Sequence, residues 1–469
     1  MVGMAEDGAR KYITDTEFLA NEIWNWRNSK KRKMQIAGKE YYRGNQDILK
    51  KKRYAIGKFG KRREVNNLPN SRIVDNQYAK MVDQKANYLC GKPITVTSTN
   101  EEYTDLLNRY FGKSFSKTLR QTAVDSLNGA IGWIMPYYDL EGNFKFRRFE
   151  PQSILPFWAD EEHTVLDCAV HLYGVVTYED RLTTKVVEHC EVFTTNGIYH
   201  FIFDNGMLIP ESPRENYFSI GDQPYNWTRI PLVAFKYNFH ELSLIRKIKS
   251  LQDGINYMES AYEDGMLENP RDSILVLVDY DGENLGEFRD NLSTYGAVKV
   301  RDNGDVRTLS IDVKSENYES ILKTFKTALI ENACGFDAKD DRMSTSPNEM
   351  NIQSMYSDID LDANSMEAEF QEGMNNLLWF VNAHLSHIGY EFDEEVKFNF
   401  HRDILMNNAS TIQQCVESVG LVSNRTILAH HPFVDDVDGE LEELNREKQE
   451  DVKVYGLGTG VSEPNEPGG

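Results

Sequence analysis

The sequence predicts an α+β, multi-domain fold, and three observations carry the prediction. The chain has 469 residues, 40% of them hydrophobic, which suits two to four domains or one large elaborated domain with a sizeable core. Apolar residues recur at intervals of three and four over long stretches, above all from Ile352 to Ile388. Residues 131 to 238 instead break into short strand-like runs separated by turn residues.

The elements follow in order. Up to about Gly129 the chain reads as mostly helical, with Ile73, Tyr78, Met81, Val82 and residues 85–89 at helical spacing until Gly91 and Pro93 stop them. WIMPYYD, the turn Glu141-Gly142-Asn143 and FKFRRFEP then predict a hairpin. The runs LDCAVHLYGVVTY, KVVEHCEVFTT and IYHFIFDNG, punctuated at Asn196-Gly197 and Asn205-Gly206, predict an antiparallel block. Leu244, Ile248, Leu251, Ile255, Met258, Tyr262 and Met266 predict a helix that Asn269-Pro270 ends.

A compact insert, 271–312, reads as strand SILVLVD, a polar bend and a hairpin around Asn303-Gly304. A second helix is expected over about 316–333, with Gly335 at its C-terminus. Ser346-Pro347-Asn348-Glu349 is a capping box with proline at the first helical position. The helix it opens, 347–388, would be roughly 60 Å long. Gly373, midway, is the expected point for a kink. A strand VKFNF (396–400), helices near 408–419, 424–429 and 441–451, and a Gly/Pro-rich tail expected to be disordered complete the chain.

Composition excludes several classes. No run of 18 apolar residues is present to span a membrane, and the N-terminal MVGMAEDGARKYITD lacks the apolar segment of a signal peptide. Five scattered cysteines fit reduced thiols better than a disulfide framework. The net charge is −22, yet between Arg27 and Arg63 fifteen Lys/Arg face only Glu40 and Asp47, so that segment carries +13 and the remainder −35. Two readings stay open for it: an anionic partner such as nucleic acid, or pairing with acidic surfaces of the same protein.

Catalytic and cofactor signatures are missing. Phe111-Gly112-Lys113-Ser114 has Leu107 where a phosphate loop needs its first glycine. Cys168 and His171 are three apart on a predicted strand and so face opposite sides. His384 and His387 share a helical face without a third ligand and read as surface or interface residues. In DYDGE, 279–283, Asn284 stands where a calcium loop needs glycine. Neither a cofactor nor a metal is expected, and the chain is not expected to be an enzyme.

Two long helices flank a small β insert, and a polar loop then leads into a very long helix. In the N-terminal half, YYRGNQDIL (41–49), NSRIVDNQYAKMVDQKANYLCGKPI (70–94), NGAIGW (128–133) and FEPQSILPFW (149–158) occur in that order. Together these features resemble the portal proteins of tailed bacteriophages, of the siphophage type that infects Gram-positive hosts, over roughly residues 41–451.

The resemblance implies a portal-type fold with an α/β wing, two-helix stem, small clip, long helix and helical crown. The wing maps to 1–239, stem helices to 240–269 and 313–334, clip to 270–312 and tunnel loop to 335–346. The long helix takes 347–389, the strand returning to the wing 390–400, the crown 401–452 and the disordered tail 453–469. About twelve subunits are implied in a ring closed by head-to-tail contacts. That ring would stand at one capsid vertex of the virion and pass double-stranded DNA. Implied partners are the terminase large subunit, a head-completion or adaptor protein, scaffold and major capsid protein, with no membrane.

The implied sites follow. Glu259, Glu263, Asp264 and Glu268 end the first stem helix, and Glu316 and Glu319 begin the second, so these acids would gather at the clip end of the channel. They oppose the helix dipole, and the alternative is an ordinary solvated face. Asp337, Lys339, Asp340, Asp341, Arg342, Met343 and Ser344 form the tunnel loop expected to touch DNA. Asp279, Asp281, Glu283, Arg301, Asn303 and Asp305 are the clip residues expected to dock partners, and Gly373 is the expected hinge. The competing reading is an acidic metal-dependent enzyme of nucleic-acid or phosphate metabolism, and a third is a capsid or scaffold component.

Overall fold

In the computed structural model, residues 12–56, 62–66, 68–178, 181, 183–221, 223–268, 274–278, 305–309, 315–337, 349–402, 408–429, 431, 434 and 437–454 are described. The chain opens with helices α1 (Thr16–Asn28) and α2 (Lys30–Tyr42). Asp15 caps the first by accepting from the amides of Glu17 and Phe18, and Ser29 caps the second by accepting from Arg32. A small hairpin, β1 (Tyr54–Ile56) with β2 (Arg62–Glu64), precedes α3 (Gln77–Cys90), which Asn76 caps. Strand β3 (Thr95–Ser98), α4 (Glu101–Tyr110) and α5 (Lys113–Gly129) complete the helical part.

The β-rich part forms two main antiparallel sheets. Strands β4 (Ile131–Tyr138) and β5 (Phe144–Phe149) make the expected hairpin. Then come β6 (Ile154–Trp158), β7 (Leu166–Tyr178), β8 (Thr184–Thr194), β9 (Gly197–Asp204) and β10 (Met207–Glu215), a meander in spatial order β10-β9-β8-β7-β6. Asn205 and Gly206 both adopt positive φ, 50° and 81°, as a two-residue hairpin turn requires. A short pair, β11 (Phe218–Ile220) and β12 (Gln223–Tyr225), leads to β13 (Val233–Lys236), which joins β4 on the edge opposite β5.

Helix α6 (Leu244–Glu268) follows, then β14 (Ile274–Val278) paired with β15 (Asp305–Leu309), then α7 (Ser315–Asn332) and α8 (Glu349–His387). The described partner of 305–309 is β14, and the hairpin expected around Asn303-Gly304 falls on 279–304, outside the described residues. Strand β16 (Val396–Asn399) returns to pair with β3. Helices α9 (Asn408–Glu417), α10 (Asn424–Ala429) and α11 (Val437–Val454) come last. Of the tail expected to be disordered, 453–454 belong to α11 and 455–469 lie outside the described residues.

Contacts divide the chain into two compact units, residues 1–336 with 358–403, and residues 337–357 with 404–469. The first holds two apolar clusters that share β4 as a wall. Ile134 faces the cluster built from α3–α6 and the C-terminal half of α8, while Ile131, Trp133 and Met135 face the one under α1 and the meander. Burial on both faces explains why IGWIMP lacks polar alternation. Met366, Phe370, Met374, Leu377, Val381 and Leu385 are each at most 2% exposed, so this half of α8 is a core helix, each side chain contributing about 1.5–3 kcal/mol by burial. In the second unit, the buried Cys415 thiol points to the Ile427 carbonyl at 3.8 Å.

Candidate functional site

The first long helix, α6, carries a polar stripe that faces inward. Gln252, Asn256, Ser260 and Asp264 are four residues apart and all buried. Each accepts a backbone amide from the extended segment before and into α3: Gln252 from Tyr78 (2.8 Å), Asn256 from Asp75 (3.0 Å), Ser260 from Ile73 (2.9 Å) and Asp264 from Ser71 (2.6 Å). Four helical residues rise about 6.0 Å and two extended residues about 6.6 Å, so the alternate amides of Ser71, Ile73 and Asp75 match successive turns of α6, and Tyr78 follows from the first turn of α3. The stripe supplies acceptors to amides outside any sheet ladder and fixes the register of α6 against the wing.

Two of the expected channel acids are thereby accounted for differently. Asp264 also pairs with Lys51 (2.8 Å), and Glu259 pairs with Lys326 of α7 (3.1 Å), which reaches Asp75 as well (2.7 Å). Both carboxylates serve contacts within the chain, because acids on this helix face meet cations folded over them rather than open solvent. Glu263, Glu316 and Glu319 are exposed. The side chain of Glu268, the clip residues Asp279, Asp281, Glu283, Arg301 and Asn303, the side chain of Asp305, and Lys339, Asp340, Asp341, Arg342, Met343 and Ser344 lie outside the described residues. Asp337 is half-buried.

Burial works against ionisation of Asp264, yet the Lys51 ammonium and the Ser71 amide hold its carboxyl below the ordinary value. A depressed folded value means that its contribution is present above the unfolded value near 3.9 and is lost as pH falls through the folded one. The protection factor of the Ser71 amide, its exchange relative to an unstructured chain at the same pH, should therefore fall on acidification below about pH 4. Asp264→Asn should show faster exchange already at neutral pH. Equal protection in both proteins at every pH would exclude the carboxylate as the anchor.

The second long helix ends where α3 and α8 meet it. Gly335 N–H bonds to the Ile330 carbonyl and Cys334 N–H to that of Glu331, the two-bond pattern that closes a helix. Cys334, with φ 49°, takes the left-handed position expected of Gly335. Gly335 is required by packing, since a Cβ there would lie 2.6 Å from the Met81 sulfur. Gln84 grips Phe336 at both backbone groups, donating to its carbonyl (2.7 Å) and accepting its amide (2.8 Å).

Beside that grip, Lys85 Nζ, buried, donates to Asp362 (2.7 Å) and to the Cys334 carbonyl (3.0 Å). Tyr237 Oη donates to Asp362 as well (2.8 Å), and Lys247 lies 3.5 Å away. Burial pulls the Lys85 ammonium below its ordinary value while Asp362 opposes the shift. Four elements, α3, α6, the end of α7 and α8, are thus tied beside Phe336.

Seven of the fifteen cations of the basic segment pair with acids of the same chain. Arg27 pairs with Glu188, Lys31 with Glu241, Lys39 with Glu150 (2.6 Å), Lys50 with Asp47 (3.1 Å) and Lys52 with Glu64 (2.9 Å). Lys51 and Arg53 both approach Asp264. Acids drawn from distant sequence supply most of these partners.

His384 is not the surface residue its spacing suggested. Its Nδ1 lies 2.9 Å from Tyr138 Oη and its Nε2 3.0 Å from Tyr110 Oη, with the ring stacked on Phe144. Burial lowers its proton affinity, which suits a neutral imidazole that donates at one nitrogen and accepts at the other. His387 is exposed beside Trp227. Among the described residues no group of three His, Cys, Asp or Glu is placed to hold a metal, and no helix is long and apolar enough to cross a membrane.

Comparison with known proteins agrees across the chain. The chain is 26% identical over 431 residues to the portal protein of Bacillus phage SPP1, covering 90% of this chain and 85% of that one. It is 24% identical over 433 residues to the portal protein of Clostridium phage phiCD119, covering 88% and 92%. Among solved structures, a chain from the neck of a native gene transfer agent particle computed with C12 symmetry overlaps 76% of this chain and 89% of its own length, with 13% identity and a TM-score of 0.41. The profile of the family described as phage portal protein, SPP1 Gp6-like, matches residues 23–454. A match over that span places the chain in the SPP1 Gp6-like family of phage portal proteins.

Proposed function

We propose that about twelve copies of this chain close head to tail into a ring at one capsid vertex, a component of the virion. The single observation that carries this reading is the family match over residues 23–454. The ring is a non-enzymatic conduit through which double-stranded DNA enters during packaging and leaves on ejection. In this reading residues 1–239 with the return strand form the wing, α6 and α7 the stem, 270–312 the clip, 335–346 the tunnel loop and 401–452 the crown. The clip docks the terminase large subunit during filling and a head-completion or adaptor protein afterwards. Scaffold and major capsid protein engage the outside, and the ring nucleates procapsid assembly.

Charge supports the conduit. DNA carries about one negative charge per 1.7 Å of axis, so a cation-rich wall would hold it through its phosphates. The chain has net charge −22, and Glu263, Glu316 and Glu319 are exposed on the stem helices. Lys339 and Arg342 among Asp337, Asp340 and Asp341 give the tunnel loop charges of both signs, suited to touching DNA without gripping it. Pressure of DNA on that loop is relayed along α8, with Gly373 as the pivot, and so reports filling.

The test is mass and shape of the purified chain, by light scattering after size exclusion and by negative-stain microscopy. The expected result is a particle of about twelve subunits with an axial hole, or a narrow spread of neighbouring ring sizes. A monomer at every concentration and salt, with native circular dichroism, would overturn the ring.

A further inference from the structure

Residues 50–64 carry eight Lys/Arg against one acid, Glu64, and the hairpin of β1 and β2 lies within them. Its base is tied to the first long helix. Lys51 (2.8 Å) and Arg53 (3.9 Å) both reach Asp264 near the end of α6, and Arg53 also donates to the Pro69 carbonyl at 2.7 Å. Lys50 is taken by Asp47 and Lys52 by Glu64. Arg62 and Arg63, exposed on β2, and Arg72, exposed beside Lys52, form no ion pair among the described residues. Arg62 lies instead over the exposed Tyr54 ring, 4.3 Å from its centre. Three guanidinium groups therefore stand unneutralised on the hairpin and at its root.

Acids of matching number sit at the same level but are turned elsewhere. Glu263 adjoins Asp264 in the chain, and successive helical residues point about 100° apart. Asp264 thus turns to the base of the hairpin while Glu263 is exposed. The Tyr262 and Tyr318 rings, 5.0 Å apart, bring the first turn of α7 to the same place, with Glu316 and Glu319 exposed on it. The first cation of α7, Lys323, comes a turn later. None of the three acids forms an ion pair among the described residues, although the hairpin is anchored one residue from Glu263.

We infer that the β1–β2 hairpin of one subunit docks on the stem of the next, with Arg62, Arg63 and Arg72 against Glu263, Glu316 and Glu319 of that second copy. The inference rests on the proposed ring and names charges that close it. Rotation about a ring axis leaves heights along the axis unchanged, so neighbours touch through patches at overlapping levels. Head-to-tail closure also needs two different patches that match each other. The adjacency of Asp264 and Glu263 meets the first condition, and opposite charge meets the second. Duplex DNA fits worse, because its phosphates would meet the guanidinium groups and be repelled by three carboxylates at the same level. A two-stranded hairpin is marginal in water by itself, and a docked neighbour would support this one. With each charge met by its opposite, neither patch would grip passing DNA.

Light scattering of the full-length chain against protein concentration tests it. Arg62→Glu with Arg63→Glu should raise the concentration for half-assembly about tenfold or more, and so should Glu316→Lys with Glu319→Lys. All four substitutions together should return it to within about threefold of wild type. Circular dichroism and melting temperature check folding. Should a reversal unfold the chain, Arg63→Ala and Glu319→Ala serve instead, each raising the midpoint several-fold and the pair raising it no further. A wild-type ring whose midpoint these substitutions leave unchanged, or reversals that fail to rescue each other, overturns the inference and leaves the ring standing. A wild-type chain that stays monomeric overturns the ring and the inference with it. Arginine reversals that assemble normally but lose binding to a duplex of about 20 base pairs overturn it too and make the hairpin a DNA contact.

Discussion

Asp362→Ala should destabilise the chain by about 3–5 kcal/mol, read as a lower urea midpoint. The substitution strips Lys85, Lys247 and Tyr237 of one shared partner. Lys85 suffers most, since its side chain is 4% exposed and would keep only the Cys334 carbonyl. Removing one partner of a buried pair leaves an uncompensated charge, whereas removing both can be nearly neutral. Accordingly Lys85→Met with Asp362→Leu should recover much of the loss. The pH dependence has a definite sign. Without Asp362 the folded chain holds the Lys85 proton less tightly than the unfolded one, so the variant should gain stability relative to wild type as pH rises from 7 to 10. A loss below about 1 kcal/mol, or the opposite slope, would show that the cluster does not anchor these helices.

Gly373→Ala should cost about 1–3 kcal/mol, and a larger side chain more. The position lies inside an uninterrupted helix, α8, and the ring of Phe235 occupies the space above it. An added Cβ would sit 2.7–3.0 Å from three atoms of that ring, which is itself fully buried and packed on Phe370. Neither partner can retreat cheaply in a packed core. Phe235→Leu, which frees that space, should restore stability to Gly373→Ala beyond the sum of the single effects. The pair also separates packing from pivoting. If Gly373 acts as the pivot for the tunnel loop, packaged DNA length should change in Gly373→Ala and stay changed in the stabilised double variant. Length that returns to normal with stability would reduce the glycine to a packing role, and unchanged length would remove the pivot.

Much of the fold was legible because its signals are local. The three- and four-residue recurrence of Leu244, Ile248, Leu251, Ile255, Met258 and Tyr262 foretells α6 from its own residues. The spacing of Ile359, Ala363, Met366, Phe370, Met374 and Leu377 marks one helical face, and all six are buried. Asn205-Gly206 fixes its turn through its own backbone. These signals gave the helices, the meander and the length of α8, and the order of the N-terminal blocks gave the family.

The site was harder to read because its partners are distant. Glu259 and Asp264 look like solvated acids in sequence, and only folding brings Lys326 and Lys51 to them, the latter from 213 residues away. The stripe of Gln252, Asn256, Ser260 and Asp264 had one available signal, its four-residue spacing, but reading it needed the segment at 71–78 beside it. Gly373 showed the same limit, since the ring that fills its place comes from Phe235. For His384 the partners Tyr138 and Tyr110 come from a strand and another helix.

The sequence by itself determined the long helices, the antiparallel block, the charge balance and the family of this protein, because periodicity and turn chemistry act within a few residues. Only the tertiary structure decided which polar groups are occupied: seven cations of the basic segment spent on the chain's own acids, and two presumed channel carboxylates turned inward. The reason is physical. A charge or a hydrogen-bonding group takes its role from what lies within about 4 Å of it, where Coulomb attraction and hydrogen bonding are strong, and that neighbourhood is set by the whole fold.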